Sequence, residues 1–475
     1  MKRCLLLLIP ALALSQVAID TVIRLPVGTG LLYSHYVPEL NKLYMGTRDS
    51  EIIVLECSTY QVVARIPAIP QAEVHPFTWN WRRHRMYAQI SSGSNGITLV
   101  IDADADTIIK RLPLTGGGSV YASGLDLLYC HNSDSMFAYD GASDTIVRRI
   151  ASPIEGYGVG PAGWDSVGRK LYVGMGKWGA PPLLAVYDHV SGQFVKFIDI
   201  SSFTSSTNEP RFSYLHRKAY FGPGAPFRGY AAVIDNEDDS ILRVFRLGIV
   251  NGDLNPIALN TRDDRVYIVG SNAGGLPDTL WVVDCATDSV LKKVEYARSG
   301  WGALWVKWTP WSNRLYVDMG CRYLKVFDCN TDSVIVESLS LGHFGPADIQ
   351  IDPIRQRIFA IGVDSNAIFV LRDVGYGIAE SPASSPRPAA RASLRESPAG
   401  IELEYHVESQ CRVQVSVYDL LGRDVKALVA ENQPAGRHRV FWNRTDSHGA
   451  RVSRGVYYIL VNAGGTSVPL KAVVR

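Results

Sequence analysis

Asn313-Arg314-Leu315-Tyr316-Val317, then Val326-Phe327-Asp328, then Asp332-Ser333-Val334-Ile335: this succession decides the fold. A polar turn leads into a Leu-Tyr strand, a second strand closes on Asp, and a third opens on Asp-Ser. The Leu-Tyr step recurs as Leu43-Tyr44, Met86-Tyr87, Leu128-Tyr129, Leu171-Tyr172, Ala219-Tyr220, Val266-Tyr267, Leu315-Tyr316 and Ile358-Phe359, at spacings of 42 to 49 residues. Strands ending on Asp follow, as in Leu99 to Asp102, Ala185 to Asp188 and Ala232 to Asp235. Asp-Thr/Ser strands come next, as in Asp106-Thr107-Ile108-Ile109, Asp144-Thr145-Ile146-Val147 and Asp288-Ser289-Val290-Leu291. A fourth, less regular strand lies ahead of each Leu-Tyr step. Four short strands at a period of about 45 residues are the pattern of a propeller blade. A linear β-solenoid is the rival, with repeats that are usually shorter.

The ends of the repeat favour a closed ring. The last copy runs through Ile368 to Asp373 and then lacks its Asp-Thr strand. That strand stands at the other end as Asp20-Thr21-Val22-Ile23, so the two termini are expected to complete one blade together and remove an open edge. The count gives an all-β, eight-bladed β-propeller, with seven blades as the alternative if one copy is degenerate.

These strands resemble the YVTN-type propeller family of surface-layer proteins, in which an LYV strand, a VIDT strand and a TNTVVATI strand succeed one another. The resemblance covers residues 18 to 378 and implies a fold rather than an activity, since propellers host many unrelated functions. Arg211 to Phe221 departs from it with a shortened first strand, and Lys177 to Pro182 lengthens one turn.

Outside the repeat, Met1-Lys2-Arg3, the apolar run Leu5 to Leu14 and the small residues Ala13 and Ser15 read as a signal peptide over 1–15. No later run approaches the ~18 apolar residues of a membrane helix. Over 475 residues the formal net charge is +2 and the basic residues are scattered, which speaks against a nucleic-acid partner. Six cysteines follow the signal segment without a CxxC pair. Cys57, Cys285 and Cys329 share one repeat position where Ala103 and Gly141 stand in other copies, which reads as a site for small residues rather than a disulfide.

Residues 379–398, with Pro382, Pro386, Pro388 and Pro398, read as an extended linker. Residues 399–475 alternate strongly in Ile401 to Tyr405, Val413 to Tyr418 and Gly455 to Val461, which predicts a C-terminal β-sandwich. Val417-Tyr418-Asp419, Gly422-Arg423, Ala435-Gly436, Trp442-Asn443, Asp446, Gly449, Gly455-Val456-Tyr457 and the terminal Lys471 to Arg475 carry a resemblance. They resemble the immunoglobulin-like modules of the flagellar hook-capping family and of C-terminal sorting domains of type IX secretion. That resemblance implies outer-membrane translocation and surface attachment or release. The stretch Asp446 to Val452 is closer to the hook-capping form than to the shorter sorting form.

Motifs of chemistry are few. Asp102, Asp104 and Asp106 alternate as at the start of a calcium loop, without its glycine or distal Glu. The ten histidines make no HExxH spacing, and His131, His189 and His216 fall near blade turns where a solvated ring is expected. No GxSxG or phosphate loop occurs, and Gly116 to Gly118 is a turn with no helix after it. No metal and no cofactor is therefore expected. Aromatic residues are more suggestive: Trp79 and Trp81 in one inner-strand segment, and Trp301, Trp305, Trp308 and Trp311 in another, as a rim for stacking against sugars or peptides. His75, Glu209, Asn255 and Asp348, at the starts of blades, are the residues expected to face the central funnel.

The sequence thus points to a secreted or cell-surface propeller, extracellular or alternatively periplasmic, that binds a protein or glycan partner, with the tail engaging secretion machinery. The alternatives are a funnel-site enzyme (lyase, lactonase or quinoprotein-type dehydrogenase) and a structural cell-envelope component.

Overall fold

Each Leu-Tyr strand becomes the second strand of a four-stranded antiparallel sheet, and the packing explains its composition. In the computed structural model the described residues are 17–26, 29–69, 72–91, 96–113, 118–132, 134–177, 179–201, 210–222, 229–248, 257–270, 277–296, 305–318, 323–341, 346–362, 365–373, 390–397, 399–407, 410–418, 424–447, 449–452, 455–463 and 466–474. Among them, eight such sheets follow one another around an axis. Blades 1 to 7 span 31–67, 73–112, 119–151, 158–199, 211–248, 257–296 and 306–340. We call the four strands of a blade A to D, from the axis outward.

Blade 8 is made from both ends of the ring. Pro346–Asp352, Arg357–Gly362 and Ala367–Asp373 are its strands A to C, and Val17–Arg24 is strand D. Thr21 pairs with Val370 and Ile23 with Ile368, so the Asp-Thr stretch occupies the place expected of it. Blade 8 then packs its strand A against that of blade 1 and closes the circle.

Strands B and C lie between two neighbouring blades and are apolar on both faces. Leu43, Tyr44, Met45, Ile52, Ile53, Val54 and Leu55 are all fully buried in blade 1. Strand D is half exposed, and Gln61–Pro67 alternates accordingly. Burial of each Val, Leu or Ile from these strands contributes about 1.5–3 kcal/mol, so the seams between blades are the core.

The repeated Tyr and Asp meet across those seams. The strand-B Tyr donates its hydroxyl to the Asp that opens strand D of the next blade. Tyr172 reaches Asp239 at 2.9 Å, Tyr220 reaches Asp288 at 2.9 Å and Tyr267 reaches Asp332 at 3.0 Å. Tyr44 does the same to Asp106, and Tyr87 to Asp144. Two residues before each Tyr stands a base that pairs with the same carboxylate: Lys42 with Asp106, Arg85 with Asp144, Lys170 with Asp239, Lys218 with Asp288 and Arg265 with Asp332. A strand-D base adds a third contact, to backbone oxygens of the same turn: Lys110 to Asp144, Arg243 to Asp288 and Lys292 to Asp332. Burial pushes these phenol groups far above their usual range, which keeps them protonated as donors. The Asp is chosen by the backbone as well. Asp106, Asp144, Asp239, Asp288 and Asp332 all have φ between 49° and 59°, a left-handed turn position that Asp tolerates better than most residues.

The Asp closing each strand C serves a separate purpose. Asp102 Oδ1 accepts from the backbone N–H of Asp104 and Ala105, and Asp140 does so from Ala142 and Ser143, which fixes the turn. With Asp106 held by Lys42 and Tyr44, and Asp104 facing His84, the three alternate carboxylates point to different partners. The calcium-loop spacing is a turn motif.

The tail folds as two sheets. One is Ala390–Ser397, Gly400–Val407 and Gly436–Trp442; the other is Asp424–Gln433, Cys411–Tyr418, Gly455–Ala463 and Thr466–Val474. Ala390–Ser397 corrects the reading of a linker through residue 398, because Ala392 and Leu394 alternate with Ser393 and Arg395 and turn toward the sandwich core. Trp442 fills that core and donates Nε1–H to the Thr445 carbonyl at 2.8 Å. Among the described residues no helix is long and apolar enough to cross a membrane.

Candidate functional site

A ring of blades offers two faces, and here they differ in regularity. On one face the four-residue A–B turns at 38–41, 81–84, 123–126, 166–169, 214–217, 261–264, 310–313 and 353–356 repeat without variation in length. Their last residues, Asn41 to Gln356, all have φ between 48° and 56°. On the other face the segments from strand D to the next strand A vary from five residues (68–72) to eleven (200–210). Variation in length belongs where recognition rather than packing sets the sequence. The site is therefore sought on the variable face, at the head of the A strands that line the axis.

Most A-strand side chains are consumed by the seams. One register position per A strand carries an aromatic or large apolar residue: Tyr36, Trp79, Tyr121, Trp164, Phe212, Leu259, Trp308 and Ile351. Tyr36 lies 5.6 Å from Phe359, Trp164 6.2 Å from Tyr129, and Phe212 6.0 Å from Tyr172. Trp79 belongs to this belt. It is buried and stacks on His84 at 5.9 Å, so it does not form an exposed rim, which corrects the expectation for that residue. Trp81 lies in the turn beyond, half-buried against the blade 1–2 core with Arg82 over its ring.

Across blades 7, 8 and 1 the variable-face end of the wall becomes polar. Trp305 is half-buried against the blade 8 core, and Lys307 Nζ lies 5.5 Å from its ring. Next along the wall is Asp348, which is buried and does not open into the funnel as expected from its position. It accepts from Ser34 N at 3.0 Å, Ser34 Oγ at 2.9 Å, Gln350 Nε2 at 2.8 Å and its neighbour Ile349 N at 2.7 Å. Burial raises its carboxyl above the usual range, while the nearby Lys307 charge and these donors act the other way. Gln350 also bridges to the Ser34 carbonyl and the Tyr36 N–H. Asp348 is thus the fastening between blade 8 and blade 1, with its acceptor capacity filled.

The other expected site residues divide in two. His75 lies on the A strand of blade 2, Glu73–Asn80, and its side chain is outside the described residues. Glu209, Asn255 and Trp301 lie outside the described residues altogether. Trp305 and Asp348 are brought into one sector, linked by Lys307, which sequence reasoning passed over. Its signal is faint: a lone Lys between Val306 and Trp308.

The histidines are better placed than a solvated turn residue. Burial lowers both His131 and His189 below the usual imidazole range. His84 faces Asp104 at 3.0 Å and His216 faces Asp264 at 2.7 Å, pairs on the regular face. Cys57, Cys130, Cys285 and Cys329 are free and buried, and burial pushes each thiol up, away from reactivity. Among the described residues no three His, Cys, Asp or Glu side chains gather as a metal site.

Comparison with known proteins agrees with these two parts. No curated protein matches the chain. Among solved structures it is similar to Sqt1 from Saccharomyces cerevisiae, at 10% identity over 74% of this chain and 98% of that one, with a TM-score of 0.57. It is also similar to BamB from Moraxella catarrhalis, at 14% identity over 75% and 99% of the two chains, with a TM-score of 0.53. At such identities the likeness is one of fold. Residues 391–467 match the family model described as the FlgD Ig-like domain. The chain joins an eight-bladed propeller to a C-terminal module of FlgD Ig-like type.

Proposed function

We propose that this protein is a binding propeller of the YVTN type, carried outside the cell or onto its surface, whose variable face takes a protein partner. The observation that supports binding over catalysis is Asp348. The carboxyl in the polar sector of the channel wall has its lone pairs filled by four donors and is buried, so it is a poor base or nucleophile. Beside it stand two side chains of intermediate burial, Trp305 and Lys307, with the ammonium 5.5 Å from the indole ring. That pair suits an acidic side chain lying beside an apolar one, as peptides present them, better than a sugar ring alone. The first 15 residues would direct export, and the FlgD Ig-like module would serve attachment or passage across an outer membrane.

Two experiments test this. Immobilised peptide and glycan panels are probed with the full chain, with Trp305→Ala and Lys307→Glu, and with the regular-face control Arg83→Ala. Peptide binding lost in the first two variants and kept in the control is expected. Turnover of lactone or uronate-ester substrates that disappears in the same two variants overturns the reading in favour of an enzyme. For the address, the chain without residues 390–475 is followed by cell fractionation in the native host. Unchanged surface delivery removes the role given to the tail.

A further inference from the structure

Five seams of the ring share the fastening of Tyr, Asp and base; the seam of Phe359 has no hydroxyl to offer, and the seam between blades 3 and 4 puts histidine in its place. Between blades 3 and 4 the base two residues before the Tyr is replaced by Leu127, and the left-handed Asp by Gly192, whose φ is 71°. The hydroxyl of Tyr129 meets an imidazole instead: Tyr129 Oη and His189 Nδ1 are 2.7 Å apart. Trp164 of blade 4 stacks on Tyr129 at 6.2 Å and meets the His189 ring edge-on at 6.1 Å. At the opposite end of the same seam, His131 of blade 3 lies against the blade 4 A strand. A Cβ at Gly160 would come within 3.2 Å of the ring. Its Nδ1 is 3.0 Å from the Asn132 carbonyl, and the backbone of Val159 faces it from blade 4. A single seam therefore has an imidazole at each end and no carboxylate clamped between Tyr and a base.

We propose that the blade 3–4 seam is a proton-operated joint of the ring, in which protonation of His189, seconded by His131, loosens blade 3 from blade 4. Neutral His189 can accept the Tyr129 O–H; imidazolium can only donate, and the hydroxyl must turn away. The new charge arises among cations. Arg148, which reaches the Tyr187 hydroxyl at 2.9 Å and the His189 carbonyl at 3.2 Å, and Arg169 both oppose it, and Asp188 alone favours it. Around His131 the backbone carbonyls of Asn132 and Val159 favour the charge, and burial outweighs them. Both rings are held neutral below the ordinary imidazole value of 6.5, so the opened seam takes up protons first. The joint is at full strength above pH 6.5 and weakens as pH falls below it.

The test is amide hydrogen exchange of the full chain at pH 7.5 and pH 5.0, corrected for the intrinsic rate. We expect protection across Gly158–Asp165 and Leu127–His131 to fall about tenfold at pH 5.0 relative to the A and B strands of blades 5 and 6. His131→Gln/His189→Gln should abolish the difference. Leu127→Lys/Gly192→Asp, which rebuilds the fastening of the clamped seams, should suppress it; the atoms nearest a Cβ at position 192 belong to the Arg148 guanidinium (3.3 Å) and the Tyr187 hydroxyl (3.8 Å). Equal protection at both pH values, loosening spread evenly over the ring, or an acid response that survives both double variants overturns the proposal.

Discussion

Lys218→Met is the sharpest probe of the seams. Lys218 Nζ lies 2.7 Å from Asp288 Oδ2 and donates also to the carbonyls of Cys285 (3.1 Å) and Ala286 (3.0 Å). The pair is well shielded, with side-chain exposures of 10% and 9%. Met keeps the aliphatic stem and removes the charge, leaving Asp288 ionised with Tyr220 as its main donor. Breaking one half of a buried pair costs about 3 kcal/mol, which is on the order of 100-fold in an opening equilibrium. Adding Asp288→Asn removes the stranded charge while tolerating the φ of 56°, so the double variant should recover more than half of the loss. Because a chain of two folded units does not unfold in one step, the measurement is hydrogen exchange at Lys218–Phe221 and Val290–Tyr296, with the blade 1–2 seam as internal reference. A single variant that exchanges like the parent, or a double variant worse than the single, refutes the idea that these ion pairs clamp the blades.

Other expectations follow from the same packing. Removing Val17–Arg24 bares the edge of Ala367–Asp373, and the ring should then elute as aggregates on gel filtration while the tail still folds. Trp442→Ala vacates the sandwich core and orphans the Thr445 carbonyl; a loss of about 3–5 kcal/mol should melt the tail alone, seen as one calorimetric transition moving and the other staying. Cys57, Cys130, Cys285 and Cys329 should resist maleimide in the native state and label on unfolding, as peptide mapping will report.

The sequence carried the ring because the chemistry of the seams repeats. Tyr and Asp recur in most copies for the reason that five of these Tyr residues bond the next blade's Asp, and the exception at His189 is visible as a break in the pattern. The base two residues before the aromatic residue recurs as well, as Lys42, Arg85, Lys170, Lys218, Arg265, Arg314 and Arg357, yet surface Lys and Arg are common enough to hide a column. Arg314 shows how much was hidden: it is fully buried against Asp373. The site was harder for a physical reason. Residues on the variable face are not tied to a partner that recurs from blade to blade, so no repeat betrays them. Trp79 and Trp81 looked alike as a pair, but one packs in the belt and the other sits in a turn. The strand Ala390–Ser397 was masked by the prolines at 382, 386, 388 and 398 on both sides of it.

The composite eighth blade sets the order of events when the chain is made. Val17–Arg24 emerges before any other propeller strand and waits for a partner that appears only after the seven blades between them. Joining ends some 350 residues apart carries a loop entropy of about 5 kcal/mol if the intervening chain is loose, and far less once blades 1 to 7 have stacked into an arc. The last contact is thus made cheap by all the earlier ones. A nascent chain stalled at any point before residue 367 holds an orphan strand, whose Asp20 and Arg24 are the charges that discourage it from finding a partner on another molecule.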